Sequence, residues 1–596
     1  LSTYIGFLKI KELGLLCRII LVRALCGQSL LNDVEEIMSA KSATYTAIFI
    51  LFFIILISCL FFFINFYTVS PLPEDVPVLI IENTVIAEET PFIIENDQVL
   101  LSYNIIKEYL DPYIFWDVAE NKITITTVDK TVRLATESLT AMINNKPVEI
   151  SFPAKNITTQ PYIPIDFLED LYDIQVKAIS DKNRVIIDKK LSGRKMGTIT
   201  SKEITVKLSP SWFSAAVAKL TKSDTVTVYS LEDGWFQVRT DEGLIGYVPD
   251  QKLEVFEMPT KPVNEPRPKR HVSGLGKLNM VWDYIHRVTP DMSMEKPPAG
   301  LDIISPTWFS IVDGQGTIES KADISYVKWA HNNNLAVWAL INNNFDPDIT
   351  HEFLSSSETR DKIIRQILMY AELFQLDGIN IDFENVYLKD KDLLVQFVRE
   401  LTPILHEAGI AVSMDVTVKS TSPNWSMCYD RKELGKVVDY IILMAYDEHW
   451  ATSPVSGSVA SIGWVERGIV TLLEDVPAEK VILGLPFYTR EWEETPTANG
   501  SIAVKSRALS MSQVKQILKE NDTRMSWDEK AGQNFAYYTK GDSVFKIWLE
   551  DEKSIQLKTA LVKKYDLAGT AAWRKGFEEP VIWEVLYNEL KLPSKI

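Results

Sequence analysis

Between residues 278 and 573, short runs rich in Val, Ile and Leu alternate with longer amphipathic ones, and this alternation constrains the fold more than any other feature. The short runs fall at 278–284, 303–309, 335–341, 377–383, 411–417, 440–446, 481–488 and 569–573. Runs of this kind read as strands and the longer amphipathic ones as helices. Strands that alternate with helices pair in parallel, because a parallel connection needs a crossover. Eight in succession predict an α/β fold, a (β/α)8 barrel. The wider interval after the seventh run, 489–546, leaves room for a small inserted subdomain.

The fourth run carries acids where an apolar strand has no structural use for them. It reads Leu376-Asp377-Gly378-Ile379-Asn380-Ile381-Asp382-Phe383-Glu384-Asn385. Residues two apart share a face of a strand, so Asn380, Asp382 and Glu384 point one way and Ile379, Ile381 and Phe383 the other. Two carboxylates crowded together cannot both ionise cheaply, and one keeps its proton and can act as an acid. Helix-like runs at 361–374 and 388–406 flank the strand and put the acids at its C-terminal end, the functional face of a parallel barrel. From the residues alone, the pair fits a two-carboxylate glycosidase or a metal site.

Upstream, residues 1–37 mix apolar and basic residues, and Met38 looks like a better natural start, so they are expected to be an upstream extension. Residues 1–46 would be cytoplasmic. From Ala47 to Ile64 the chain runs eighteen residues without a charge, and Phe66 and Tyr67 extend the run. That predicts a signal anchor over 47–67, with Lys41 inside and the large C-terminal part outside the cytoplasm. The expectation is therefore a single-pass protein of the cell membrane; a secreted form with the segment cleaved is the alternative. Leu56-Ile57-Ser58-Cys59 resembles a lipoprotein box, but the apolar run continues past it.

Residues 78–190 repeat a strand–helix–strand pattern, first from Asn96 and again from Asn144, which signals duplicated units. Short alternating strands with turn residues fill 196–258, including Asp233-Gly234-Trp235 and Gly246-Tyr247, the pattern of a small β-barrel. The proline- and charge-rich stretch 259–275 reads as a linker. A net charge of -18 with no concentrated basic face argues against a nucleic-acid partner. Of four cysteines only Cys428 lies beyond the apolar segment, and the six histidines lack metal-ligand spacing. Neither metal nor cofactor is expected.

Several short motifs then coincide. Asp377, Gly378, Asp382 and Glu384 fit DGxDxDxE, with Asn380 in place of the middle aspartate. Met444-Ala445-Tyr446-Asp447 ends the sixth strand, Gly484-Leu485-Pro486-Phe487-Tyr488 the seventh and Trp573 the eighth. In this order, residues 276–592 resemble glycoside hydrolase family 18, and DGINIDFEN with GLPFY resembles its spore-cortex and cell-wall N-acetylglucosaminidase branch. Residues 78–190 resemble the N-terminal module of copper amine oxidases, without copper ligands, and 196–258 a bacterial SH3-type domain.

The family resemblance implies a hydrolase of N-acetylated polysaccharide, peptidoglycan or chitin-like, working by substrate-assisted retention. It implies that Glu384 is the acid and base, that Asp382 orients the acetamido group and that Tyr446 binds the acetamido oxygen. Trp573 would floor the sugar, and Asp377, Asn380, Met444 and Asp447 would contact substrate, with bracing of the strand start as the equal alternative for Asp377. Rim contacts from His449 and Trp450 rank lower, and Trp308 reads as packing. A non-catalytic glycan-binding protein and a structural wall protein are the competing readings.

Overall fold

The computed structural model describes residues 46–59, 72–73, 76–96, 98–157, 159–189, 194–258 and 276–592. The expected extension 1–37 and the linker 259–275 lie outside the described residues. The expected membrane anchor is corrected. Residues 46–59 are helical, but no helix among the described residues is long and apolar enough to cross a membrane. At 1.5 Å per residue a span needs about twenty helical residues. Residues 60–67 lie outside the described residues. The cell-membrane location and the membrane partner rested on this anchor, and both fall with it.

Two compact units divide the chain, one formed by residues 1–91 with 173–261 and the other by 92–172 with 262–596. The duplicated segment is therefore shared between them. In the first unit, Ile174–Ile179, Arg184–Lys189, Val78–Ile81 and Thr84–Ile86 form a four-stranded sheet in that order. A seven-stranded antiparallel sheet covers residues 195–257 and encloses Val206, Val226, Val238 and Val248. Asp233 and Gly234, both at positive φ (48° and 78°), make the two-residue turn between Thr225–Glu232 and Trp235–Arg239. The Arg239 guanidinium grips Asp188 with two 2.7 Å bonds, tying this sheet to the four-stranded one.

In the second unit the sequence repeat becomes geometry. Gln98–Ser102 pairs antiparallel with Gln160–Pro164, and each strand runs directly into a helix, at Tyr103 and Ile165. A five-stranded meander, Phe115–Asp117 to Lys146–Glu149, then lies on barrel helices Ser357–Phe374 and Lys391–Glu407. The first N–H groups of a helix have no partner within it. Here Asp117 accepts from the Ser357 amide at 3.0 Å and Glu120 from the Glu358 amide at 2.8 Å. Arg360, fully buried, pairs with buried Glu400 at 2.9 Å and lies 4.7 Å from the Phe115 ring centre. The Thr131 hydroxyl donates to the Glu400 carbonyl at 2.8 Å, and the Arg133 guanidinium pairs with Asp361 at 2.9 Å.

The barrel closes as eight parallel strands: Leu278–Asp283, Ile303–Ile311, Ala336–Asn342, Gly378–Asp382, Ala411–Thr417, Tyr440–Met444, Val481–Pro486 and Gly569–Trp573. The first strand pairs with both the second and the eighth. Met280, Trp282, Trp338, Leu340, Ile442 and Ile482 fill the interior, and a larger apolar layer lies between strands and helices. Gly378 is demanded by this filling, because a Cβ there would sit 2.5 Å from the Trp338 indole. The seventh strand stops at Pro486, short of the expected 488; Tyr488 already begins the insertion. Five antiparallel strands and the helix Met511–Glu520 make up that insertion.

Candidate active site

At the C-terminal end of the fourth strand the side chains alternate as its sequence requires. Ile379, Ile381 and Phe383 pack into the layer beneath the helices, while Asn380 and Asp382 are buried inside the barrel. Glu384, just past the strand, is half-buried, and its backbone is clamped from both sides. The Asn343 side chain accepts from the Glu384 amide at 3.0 Å and donates to the Glu384 carbonyl at 2.7 Å. The Tyr429 hydroxyl donates to the Phe383 carbonyl at 2.8 Å. Asn343 and Tyr429 thus hold the one turn of chain that aims Glu384.

The fourth and fifth strands run in parallel register, with Asn380 opposite Ser413 and Ile381 opposite Met414. Asn380 does not turn toward Asp382. Its amide nitrogen donates to Ser413 Oγ at 3.1 Å and to Asp415 Oδ1 at 2.7 Å, and its oxygen accepts from Trp282 Nε1 at 2.8 Å. Asp382 Oδ1 is buried without a hydrogen-bond partner. Burial, and then the neighbouring Asp415, push the Asp382 carboxyl well above the usual carboxylate range. Burial also raises Glu384, helped by Asp382 and Asp447. Asp415 is raised by burial, with Glu384 adding to it against the Asn380 hydrogen bond.

The sixth and seventh strands supply a second wall. Tyr446 follows the sixth strand, and its hydroxyl is raised by burial and then by Asp415, Asp382, Tyr488 and Glu384, so it faces the same carboxyls. The Tyr446 and Tyr488 rings meet edge to face at 6.2 Å. A Cβ at Gly484 would stand 2.5 Å from the Leu443 carbonyl and 3.2 Å from the Tyr446 ring, so the Gly484 position lets that ring lie down. Asp447 is exposed and at positive φ (59°). It accepts from the Tyr488 hydroxyl at 2.5 Å and from Arg490 at 3.3 Å. Trp573, at the end of the eighth strand, is half-buried against Trp282 at 6.0 Å and Tyr284 at 6.3 Å. Met444 is buried at the end of the sixth strand.

Asp382, Glu384, Tyr446, Asn380, Met444, Asp447 and Trp573 therefore sit at one end of the barrel. Asp377 does not join them. It lies at the other end of the fourth strand, where it accepts from the Val337 amide at 2.9 Å and meets His331 Nε2 at 2.8 Å. That bracing role stands in place of substrate contact, because four residues of strand separate it from Asp382. His449 is held by the Ser458 carbonyl at 2.7 Å, Trp450 is exposed, and Trp308 is fully buried.

Sequence reading missed Asn343, Asp415, Tyr429 and Arg490, and held Tyr488 only as part of a motif without a role. Asp415 carried the same signal as Asp382, an acid at an inward position of an apolar strand. The others are recognisable only once the strand ends converge. Among the described residues no group of acids, histidines or cysteines is placed to hold a metal ion.

Several known proteins are similar to part of this chain. Glycosylase YvbX of Bacillus subtilis (strain 168) is 28% identical over 288 residues, 46% of this chain and 81% of that protein. The cortical fragment-lytic enzyme of the same organism is 28% identical over 260 residues, 43% of this chain and 59% of that protein, so only part of that relative is spanned. The solved C-terminal domain of a putative chitinase from Desulfitobacterium hafniense DCB-2 is 24% identical over 53% of this chain and 99% of its own, with a TM-score of 0.48. Residues 80–187 match the copper amine oxidase N-terminal domain. Residues 284–577, which hold every strand-end residue of the site described above, match glycosyl hydrolases family 18.

Proposed function

We propose that the barrel is a retaining glycosidase that cleaves β-1,4 linkages of an N-acetylglucosamine-containing glycan, with the substrate's own acetamido group as nucleophile. The observation that carries this reading is Glu384, a half-buried carboxyl raised by burial beside Asp382 at the mouth of the barrel. A carboxyl kept protonated near neutral pH can donate to the leaving glycosidic oxygen. As that bond breaks, the acetamido oxygen closes on the anomeric carbon to give an oxazolinium ion. Asp382 accepts from the acetamido N–H and balances the positive charge that develops there. Tyr446 donates to the acetamido oxygen, and Trp573 forms the apolar floor beneath the sugar. Glu384, now a carboxylate, takes a proton from the water that opens the ring, which restores the starting state.

Peptidoglycan is the favoured polymer, supported by the likeness to a cortical fragment-lytic enzyme; chitin-like glycan is the other candidate. In this reading residues 196–258 are an SH3-type module that holds such a polymer; Trp235 is buried, and exposed Trp212, 4.9 Å from it, replaces it as the contact. The test compares wild type with Glu384→Gln on purified peptidoglycan and on chitin oligomers, reading new reducing ends and product masses. Wild-type cleavage that Glu384→Gln abolishes supports the reading. Equal rates in the two proteins would overturn it, and products ending in reducing N-acetylmuramic acid would exclude N-acetylglucosaminidase action.

A further inference from the structure

The site holds one more buried acid than the proposed chemistry uses. Asp415 lies on the fifth strand, and the register that sets Ile381 against Met414 brings Asp382 alongside Asp415 at the next step. Paired residues on neighbouring parallel strands point the same way and lie about 4.8 Å apart. Asn380 and Ser413, one inward step earlier, already touch across this seam at 3.1 Å. Both acids are buried, at 7% and 1% exposure, with no basic side chain bonded to either. Two carboxylates enclosed in this way hold a single negative charge and share one proton.

The hydrogen bonds give that pair a direction. Trp282 fixes the Asn380 oxygen, so the Asn380 amide nitrogen must face the fifth strand, where it donates to Ser413 Oγ and Asp415 Oδ1. With Oδ1 occupied as an acceptor, a proton on Asp415 sits on Oδ2. Asp382, in contrast, has its Oδ1 without any partner. One member of the pair is held in place and the other is free to turn.

We infer that Asp415 is the positioning residue that takes the shared proton when substrate arrives, leaving Asp382 as the carboxylate that meets the acetamido N–H. This rests on the glycosidase reading above and deepens it. The proton moves from an Asp382 oxygen to Asp415 Oδ2 as Asp382 swings to the acetamido group, and it returns when product leaves. No proton is exchanged with solvent in either direction. The place of the second acid has thus moved sideways, from position 380 on the fourth strand to the neighbouring strand, with Asn380 as the amide that orients it.

The experiment has three arms. Wild type and Glu384→Gln are first assayed on chitin oligomers, and cleavage lost in Glu384→Gln secures the parent reading; if wild type does not cleave, that reading and this inference fall together. Asp415→Asn should then lower kcat about a hundredfold with KM held within about threefold, because the positive charge that the Asp382 carboxylate balances develops only in the transition state. Its alkaline pH limb should also lose one proton relative to wild type. The exchange of the two residues, Asn380→Asp with Asp415→Asn, should recover at least about tenfold of that loss, since it returns an acid to the face of Asp382.

A cleaving wild type with Asp415→Asn at the same kcat and the same alkaline limb would overturn the role of Asp415 alone. So would a folded exchange variant as slow as Asp415→Asn. The third arm needs no change at Asp415. Calorimetric binding of a chitin pentamer to Glu384→Gln, in buffers of different ionisation heat, should show no proton released near neutral pH. Release of one proton would send the Asp382 proton to solvent and overturn the inference.

Discussion

Two of the places where acidic side chains pack in the unit that holds the barrel are treated in opposite ways. Where the meander meets the barrel helices, each acid has a partner: Glu400 faces Arg360, Asp361 faces Arg133, and Asp117 and Glu120 receive the amides that begin a helix. Burial pushes Glu120 up, but hydrogen bonds from Ser356, Ser357 and Glu358, with Lys122 nearby, more than reverse it and hold the carboxyl below its usual value. At the barrel mouth Asp382, Glu384 and Asp415 crowd together, and all three are raised. The first arrangement gains stability from charge. The second gives stability up for a proton that can move, which is how sites depart from the rules obeyed elsewhere in a fold.

Breaking the mouth should cost rate and leave the fold alone. Glu384→Gln is expected to lose at least about a thousandfold in kcat, from removal of both the acid and the base step. Its thermal midpoint should match or exceed that of wild type, because a crowded acid has gone. The opposite result is expected at the seam. Glu400→Ala strands the buried Arg360 guanidinium and should destabilise the protein by about 3 kcal/mol, with kcat of the folded enzyme within about twofold of wild type. Chemical denaturation read beside steady-state rates checks both.

Asp382→Asn should fall between the two in effect, at about a hundredfold in kcat. The same variant sharpens the contrast through pH. A carboxyl raised on folding gives stability that is complete below its ordinary value and is lost as pH rises through its folded value. Asp382→Asn should therefore gain on wild type as pH rises. Glu120 has the opposite sign: its stability is present above its ordinary value of 4.5 and is lost as pH falls through its depressed one. Glu120→Gln should be the mildest change, weaker than wild type at neutral pH and less sensitive to acid. Thermal unfolding from about pH 3 to about pH 9 would show the two slopes, and parallel curves would break the comparison.

The barrel strands were legible because each is a short apolar run between two long amphipathic ones, and the fifth and eighth ended at the residues expected, Ala411–Thr417 and Gly569–Trp573. The acids of the fourth strand were legible for the same reason, since period two makes an inward charge conspicuous. Asp377 stayed open between bracing and substrate contact because it belongs to the same short motif. Adjacency in sequence hides that a strand has two ends, and only the second carries the site. Asn343, Tyr429 and Arg490 were beyond reach, because a hydrogen bond between residues forty positions apart leaves no periodic trace. The apolar run near the N-terminus was expected to span a membrane, but among the described residues only 46–59 of it are helical, and no helix there is long and apolar enough to cross one.

The helix Ser357–Phe374 begins on amides that Asp117 and Glu120 receive, and those acids lie far upstream in the chain. During synthesis the meander leaves the ribosome well before the helices it covers. Until residues near Glu400 have emerged, Phe115, Arg133 and the two acids lack their partners on the barrel helices. The barrel, for its part, cannot complete this helix start or cover Arg360 without a segment already made. Assembly of the catalytic unit is thus a late, long-range step, and that places its greatest vulnerability in the nascent chain.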